Sequence, residues 1–303
     1  MEAWESQPVA AQQPPPPLAA APRLGVGAAL GEIFTHVGRG WWRLLLLGFL
    51  GLVPWGVVSA LAVTFVSMRN GPEELVLVTV LGVLLVFLLV APFISGAMMA
   101  CADRQLRGER PTLRDALARA GRRYLSLLGL HVLVGLTLAV VYVVAIMVMA
   151  MVGAAFGPRV WVLSFAALIV AFLGFLWMVA RILTRWAVSA PAALLEQRGP
   201  LAALRRSREL TQGHRLAVFL VFLVPLLGWF LVFLALEVGV FTLSFGPGRN
   251  VEGGGPLIVV GLLVSALNLV LLAVLAVGPV VVHHRLRAAN GESDAGQLAQ
   301  VFE

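Results

Sequence analysis

Long runs of apolar residues, separated by short polar segments, make up most of the chain. A bilayer core is about 30 Å thick, so a helix needs roughly 20 mostly apolar residues to cross it. Runs such as LLVFLLVAPFISGAMMA are apolar on every face, whereas a transmembrane strand alternates apolar and polar residues, so the pattern predicts helices. Six runs are long enough, and the predicted spans are about residues 44–66, 75–100, 125–156, 160–180, 216–245 and 257–282.

The polar segments that connect these spans are short. None of them reaches 50 residues, which leaves no room for a separate globular catalytic domain. Residues 1–22 are rich in proline and glutamine and predict a disordered cytoplasmic tail. We therefore expect a six-span membrane domain over residues 23–287, followed by a cytoplasmic C-terminal tail over residues 288–303.

The distribution of charge predicts the orientation of the chain. The 22 basic residues are all arginine and exceed the 15 acidic residues by 7. When the connecting segments are assigned alternately to two sides, 19 arginines share a side with both termini and only 3 lie on the other. Because short basic segments stay in the cytoplasm, we expect both termini to be cytoplasmic and the protein to lie in a bacterial inner membrane.

A similar polar segment precedes each pair of predicted spans. An Ala-Leu pair recurs at residues 29–30, 116–117 and 203–204, which is an interval of 87 residues twice over. Each segment has one apolar face on a helical wheel, as is typical of a helix at a membrane interface. We predict an all-α integral membrane protein with six transmembrane helices, built as three repeats of a cytoplasmic amphipathic helix plus a transmembrane hairpin. The basic helices either gather anionic headgroups or only fix the topology.

The stretch that leads into the fifth span has the most specific motif. Residues 191–215 read PAALLEQRGPLAALRRSRELTQGHR, and residues 283–287 read HHRLR. This pattern resembles the membrane domain that is fused to some bacterial glycerophosphoryl diester phosphodiesterases. The resemblance implies a six-helix membrane module. It does not imply phosphodiesterase activity, because this chain has no room for the catalytic barrel of those enzymes.

Two residues of this stretch are candidate structural elements. Glu196 lies near Arg198, where its carboxylate is placed to accept from an arginine or to cap the helix that begins at Pro200. Ser207 falls on the apolar face of that helix, where its hydroxyl reaches the carbonyl four residues back or a neighbouring helix. The same wheel places Arg206 on the opposite, polar face.

Four arginines are candidates for binding lipid headgroups. Arg181 and Arg185 lie one turn apart at the inner end of the fourth span, between two tryptophans. Interface anchoring is one explanation for this pair. The sharper alternative is a phosphate-binding pocket formed by Arg181, Arg185, Arg198 and Arg206.

Two polar residues lie at membrane depth. Glu237 is in the outer half of the fifth span and Asn268 is in the sixth, at comparable depths in antiparallel helices. Such groups are candidates for a substrate or proton path, and the alternative is a carboxylate that is satisfied or reaches outward to water.

Composition and motifs narrow the function. The chain is 60% hydrophobic and only 12% charged, which argues against a soluble enzyme, and we find no catalytic or metal-binding motif. We predict a non-enzymatic module without a cofactor. It faces phospholipids, with anionic lipids or a membrane protein as partners and no nucleic acid. The alternatives are a solute or lipid transporter that uses Glu237 and Asn268, and a membrane enzyme that acts through Glu196 and His214.

Overall fold

The structure is a computed structural model that describes residues 24–69, 73–156, 161–245 and 255–292. Every regular element in these ranges is an α-helix. The predicted N-terminal tail and most of the predicted C-terminal tail lie outside the described residues. In chain order the helices are α1 (Val26–Arg69), α2 (Glu73–Leu106), α3 (Leu113–Arg122), α4 (Tyr124–Phe156), α5 (Trp161–Trp186), α6 (Ser189–Leu195), α7 (Pro200–Leu210), α8 (Arg215–Phe245) and α9 (Gly255–Ala289).

Five segments within the described residues are helical, long and apolar enough to cross a membrane. They overlap the second to sixth predicted spans, and their composition indicates a membrane protein. The five segments are Leu85–Leu106, Tyr124–Val148, Ile169–Leu195, Arg215–Leu236 and Leu262–Ala289.

The first predicted span lies in α1, where most side chains beyond residue 51 are outside the described part of the structure. α1 runs without interruption from Val26 to Arg69. The amphipathic segment that precedes the first span is therefore continuous with it rather than a separate surface helix. At a rise of about 1.5 Å per residue, α1 is about 66 Å long, roughly twice the thickness of a bilayer core, so part of it extends beyond that core.

α2 and α9 form the centre of the helix bundle. Half of the residues in the most apolar 18-residue part of α2 are buried, and so are 44% of those in the same part of α9. In the most apolar 18-residue part of α4, no residue is buried. Gly96 of α2 lies close to α4, because a Cβ there would be 2.4 Å from Leu127 Cδ1 and the buried leucine side chain would have to shift. The fully buried apolar side chains of α9 include Val277, Val280, Val281, Val282 and Leu286.

The outer helices expose large apolar side chains. Leu136 on α4, Val170 on α5 and Leu231 on α8 are 62%, 70% and 56% exposed. Soluble monomers rarely expose apolar patches larger than a few hundred Å². These faces therefore suit a surrounding of lipid chains.

Three short helices lie between the long ones. α3 begins after Thr112, whose side chain caps the amide of Asp115, and α7 has Pro200 in its first turn, where a missing N–H costs nothing. The sequence pattern predicted that residues 181–215 form a polar connection between two spans. In the structure, α5 continues to Trp186 and is followed by α6. Five of the seven residues of α6 are buried, and this burial draws the chain that follows it against α9.

Candidate functional site

The end of α9 meets three acidic residues that are distant in sequence. His283 Nε2 lies 2.9 Å from Glu196 Oε1, and His284 Nε2 lies 3.0 Å from Asp103 Oδ1. Arg285 Nε donates to Glu32 Oε2 at 2.6 Å. Consecutive residues of a helix point in directions about 100° apart, so each reaches a different neighbouring helix. We call the region formed by these contacts the polar end of the bundle.

Glu196 is the centre of the first of two ion clusters at the polar end. Its carboxylate is only 14% exposed and accepts from Arg198 Nε at 2.8 Å and from Arg206 Nε at 3.2 Å, in addition to His283. Arg206 also binds Glu292, which follows α9. We call these five residues, Glu196, Arg198, Arg206, His283 and Glu292, the Glu196 cluster.

The backbone after α6 positions this carboxylate. Glu196 is the C-terminal cap of α6, and its amide donates to the carbonyl of Ala192. Gln197 then adopts a left-handed conformation with φ of 56°, uncommon for a residue other than glycine. Its side-chain oxygen accepts from Arg123 Nη2 at 2.6 Å, so the turn is tied to the start of α4. The reversal brings Arg198 back onto the carboxylate of Glu196.

The charges in the Glu196 cluster stabilise one another. Burial alone would raise the pKa of Glu196, but the hydrogen bond from His283 and the positive charges of Arg206 and Arg198 lower that pKa from 4.5 to about 2. Burial also disfavours the charged form of Arg206, yet its contacts with Glu292 and Glu196 outweigh this and raise its pKa. Glu196 is thus ionised at neutral pH and has no proton to donate, which does not favour a role as a general acid.

Asp103 is the centre of the second cluster. Its side chain is fully buried and accepts from Arg107 Nε at 3.3 Å, from Arg119 Nη1 at 3.0 Å and from His284. Since a buried carboxylate without partners would be strongly destabilising, these three donors hold the ends of α2, α3 and α9 together. We call these four residues the Asp103 cluster.

Ser207 connects α7 to the end of α5. Its buried hydroxyl donates to the carbonyl of Arg185 at 2.8 Å and accepts from the amide of Val188 at 3.3 Å. Of the two roles that the sequence left open, the structure shows the bond to a neighbouring helix. This bond satisfies backbone groups at the break between α5 and α6.

The four candidate headgroup arginines separate into two groups. Arg198 and Arg206 belong to the Glu196 cluster, where carboxylates already bind them. The helical wheel placed Arg206 on the polar face of its helix, and in the structure its side chain is only 14% exposed and contacts Glu196. Arg181 and Arg185 lie at the end of α5, and Arg181 stacks over Trp177 at 5.0 Å.

Arg185 lies in a group of arginines without acidic partners. The charges that act on it come from Arg215, Arg181 and Arg208, all of them positive. Within the described part of the chain, none of these four side chains forms an ion pair, and the Nε atoms of Arg185 and Arg215 are buried without a hydrogen-bond partner. We call Arg181, Arg185, Arg208 and Arg215 the unpaired arginine group.

Most of the chain has counterparts in a protein family. Residues 44–283 match the family described as a domain of unknown function, DUF7847. The chain belongs to this family. The DUF7847 match includes the unpaired arginine group and all of the Asp103 cluster except His284, and it ends at His283. No curated protein and no solved structure matches the chain significantly.

Several residues of this DUF7847 member that meet at the polar end were not candidates from sequence. Asp103, His283 and His284 were missed because their partners are about 90 to 180 residues away. One signal was present: Glu32, Arg119 and Arg206 are spaced by 87 residues, the same interval as the Ala-Leu pairs. All three belong to the ion contacts at the polar end.

The two candidates at membrane depth are not brought together by any described contact. The side chain of Glu237 lies outside the described part of the structure. Asn268 Nδ2 donates to the carbonyl of Val264 in its own helix at 2.9 Å. A polar path through these residues stays a prediction.

Proposed function

We propose that this protein is a non-catalytic module of a bacterial cytoplasmic membrane that holds the headgroups of anionic phospholipids with the unpaired arginine group. The unpaired arginine group is the observation that supports this function most directly. Arginines of the two ion clusters have carboxylate partners, whereas these four have none among the described residues. Guanidinium groups bind phosphate with paired hydrogen bonds, and basic residues next to membrane spans attract anionic lipids.

The surroundings of the unpaired arginine group fit a lipid ligand. Arg181 and Arg185 end a helix whose outer face is apolar and exposed, and Trp177, 62% exposed, lies one turn before Arg181. Tryptophan is enriched where lipid chains meet headgroups. The resemblance to a membrane domain of phosphodiesterases that act on glycerophosphodiesters would place the module near phospholipid chemistry, without assigning it that reaction.

The architecture that we propose has six spans and three repeats. In addition to the five described spans, the first predicted span, residues 44–66 in α1, crosses the membrane, and both termini are cytoplasmic. The 87-residue spacing of Glu32, Arg119 and Arg206 supports the repeat, because each of these residues takes part in an ion contact that reaches the end of α9. In this arrangement the end of α9 would hold the three repeats together through ion contacts.

The experiment that tests the function identifies the lipids that stay with the protein. The full chain is extracted from its own membrane into polymer nanodiscs, and the lipids are compared by mass spectrometry with the total membrane extract. We expect enrichment of anionic phospholipid and its loss in the Arg181→Gln/Arg185→Gln variant. Arg205→Gln, an exposed arginine on α7, is the matched control and should keep the enrichment. A lipid composition equal to that of the bulk membrane for the unmodified protein would refute the proposal.

A further inference from the structure

An apolar cavity of about 320 Å³ lies between α5 and α8, with α9 along one side. Its lining includes Ala180 and Thr184 of α5, Ala187 in the turn that follows α5, and Phe219 and Leu223 of α8. The hydroxyl of Thr184 donates to the carbonyl of Ala180 at 2.6 Å, so it has no free proton to donate to a ligand. The cavity is partly open to the surroundings, and its volume lies at the lower end of the range for ligand pockets. Its lining suits a hydrocarbon chain.

Two members of the unpaired arginine group are close in sequence to residues that line this cavity. Arg185 lies in sequence between the lining residues Thr184 and Ala187, and Arg215 lies one helical turn before Phe219. The Nε atoms of both arginines are buried without a partner in the part of the chain that the structure describes. A donor that is shielded from water and has no partner is unfavourable, so an anion beside these two Nε atoms would supply the missing acceptor.

We propose that the cavity and the unpaired arginine group form a single binding site for one anionic glycerophospholipid. One acyl chain fills the cavity, and the phosphate lies between Arg185 and Arg215. The inference rests on the proposed function and deepens it by naming the site. The occupant is a lipid rather than inorganic phosphate, because the apolar cavity offers a free ion no favourable contact, whereas an acyl chain gains from leaving water.

The first measurement compares three probes. Full-length protein is delipidated in a neutral detergent and titrated with dioleoylphosphatidylglycerol, dioleoylphosphatidylcholine or sodium phosphate, and the complexes are counted by native mass spectrometry. We expect one tightly bound phosphatidylglycerol. Two arginines that each contribute about fivefold predict a preference of about 25-fold over phosphatidylcholine. Sodium phosphate should neither bind at the same concentrations nor displace the lipid.

Variants separate the two halves of the site. Arg185→Gln/Arg215→Gln should reduce the preference for phosphatidylglycerol to about onefold. Ala180→Phe fills the cavity and should lower the affinity for both lipids at least tenfold. The ratio of the two affinities should not change. The controls are Arg205→Gln, an exposed arginine of α7, and Leu173→Phe, which is 57% exposed and outside the cavity lining. Both controls should bind as the unmodified protein does. Size-exclusion profiles and melting temperatures show whether each variant is folded.

The outcomes distinguish this site from the broader function. Tight binding of phosphatidylglycerol that survives both site variants would overturn this site and leave the proposed function standing. Equal, weak binding of the two lipids by the unmodified protein would overturn both. Sodium phosphate that binds as tightly as the lipid would replace the lipid site by an ion site. Loss of phosphatidylglycerol preference in the arginine variant, together with weakened binding in Ala180→Phe, would support the proposal.

Discussion

Removing the charge of Glu196 tests whether the Glu196 cluster holds the polar end together. Glu196→Gln keeps the shape of the side chain but replaces one acceptor oxygen by an NH₂ group that faces arginine and histidine donors. The pKa of Glu196 is lowered from 4.5 to about 2, a difference that corresponds to about 3 kcal/mol of interaction with the ionised carboxylate. This agrees with the roughly 3–5 kcal/mol lost when one partner of a buried ion pair is removed.

The assay is thermal unfolding of the purified protein in detergent, followed by tryptophan fluorescence. The unfolding entropy is about 2.1 cal/mol/K per residue, or about 0.64 kcal/mol/K for 303 residues, so a loss of about 3 kcal/mol lowers the apparent melting temperature by about 5 °C. Glu109→Gln is the control, since Glu109 is 55% exposed and lies 3.8 Å from Arg104. Exposed pairs contribute at most about 1 kcal/mol, so the melting temperature of the control should shift by no more than about 2 °C.

A double variant makes the test specific to charge. If Glu196 stabilises the fold through Arg206, the Glu196→Gln/Arg206→Gln variant should lose less stability than the sum of the two single variants. Equal shifts for Glu196→Gln and the Glu109→Gln control would refute the reasoning. Strict additivity of the two changes would show that the pair is not coupled.

Three further predictions follow from the pKa of Glu196, from the hydrogen bonds of Ser207 and from the proposed orientation. The lowered pKa of Glu196 means that the stability contributed by its carboxylate is complete above about pH 4.5 and is lost as pH falls towards about 2. The difference in melting temperature between the unmodified protein and Glu196→Gln should therefore be constant from pH 8 to 5 and shrink below pH 4.5. A decrease already at pH 6 would contradict this assignment. Ser207→Ala leaves a buried amide without its acceptor and should cost about 1–3 kcal/mol, measured as a lower melting temperature, whereas Thr35→Ala removes only an exposed bond within α1 and should cost less than about 1 kcal/mol. In a cysteine-free background, Arg110→Cys should react with a membrane-impermeant maleimide only in inverted vesicles and Arg69→Cys only in intact cells, and the reverse pattern would contradict the proposed orientation.

The helices and their positions follow closely from sequence, because hydrocarbon imposes a simple rule on the chain. A backbone in lipid must satisfy its own hydrogen bonds, and its side chains must be apolar, so the runs at 125–156 and 216–245 predict α4 and α8 nearly to the residue. The apolar faces of the short helices also follow from periodicity, and Ala203 and Ser207 are buried as the wheel predicted. The contact between Glu196 and Arg198 could also be predicted from sequence, because the two residues are only two positions apart.

Contacts between distant segments could not be found in this way. His283 and His284 are adjacent, yet the first meets Glu196 and the second meets Asp103, and which acid each one reaches depends on how α9 is rotated against its neighbours. α6 was also missed, since a short apolar segment within a polar connection has no strong pattern of its own.

The arginines show most clearly what local sequence predicts and what only the tertiary structure decides. Local sequence identifies Arg185 and Arg206 alike as basic residues beside a membrane span. Folding places Arg206 between two carboxylates and leaves Arg185 among other arginines, next to an apolar cavity. An arginine's charge is set by its chemistry, but whether that charge is neutralised depends on which segments of the chain pack beside it. Those segments are distant in sequence, so the candidate lipid site emerged only when the packed helices brought them together.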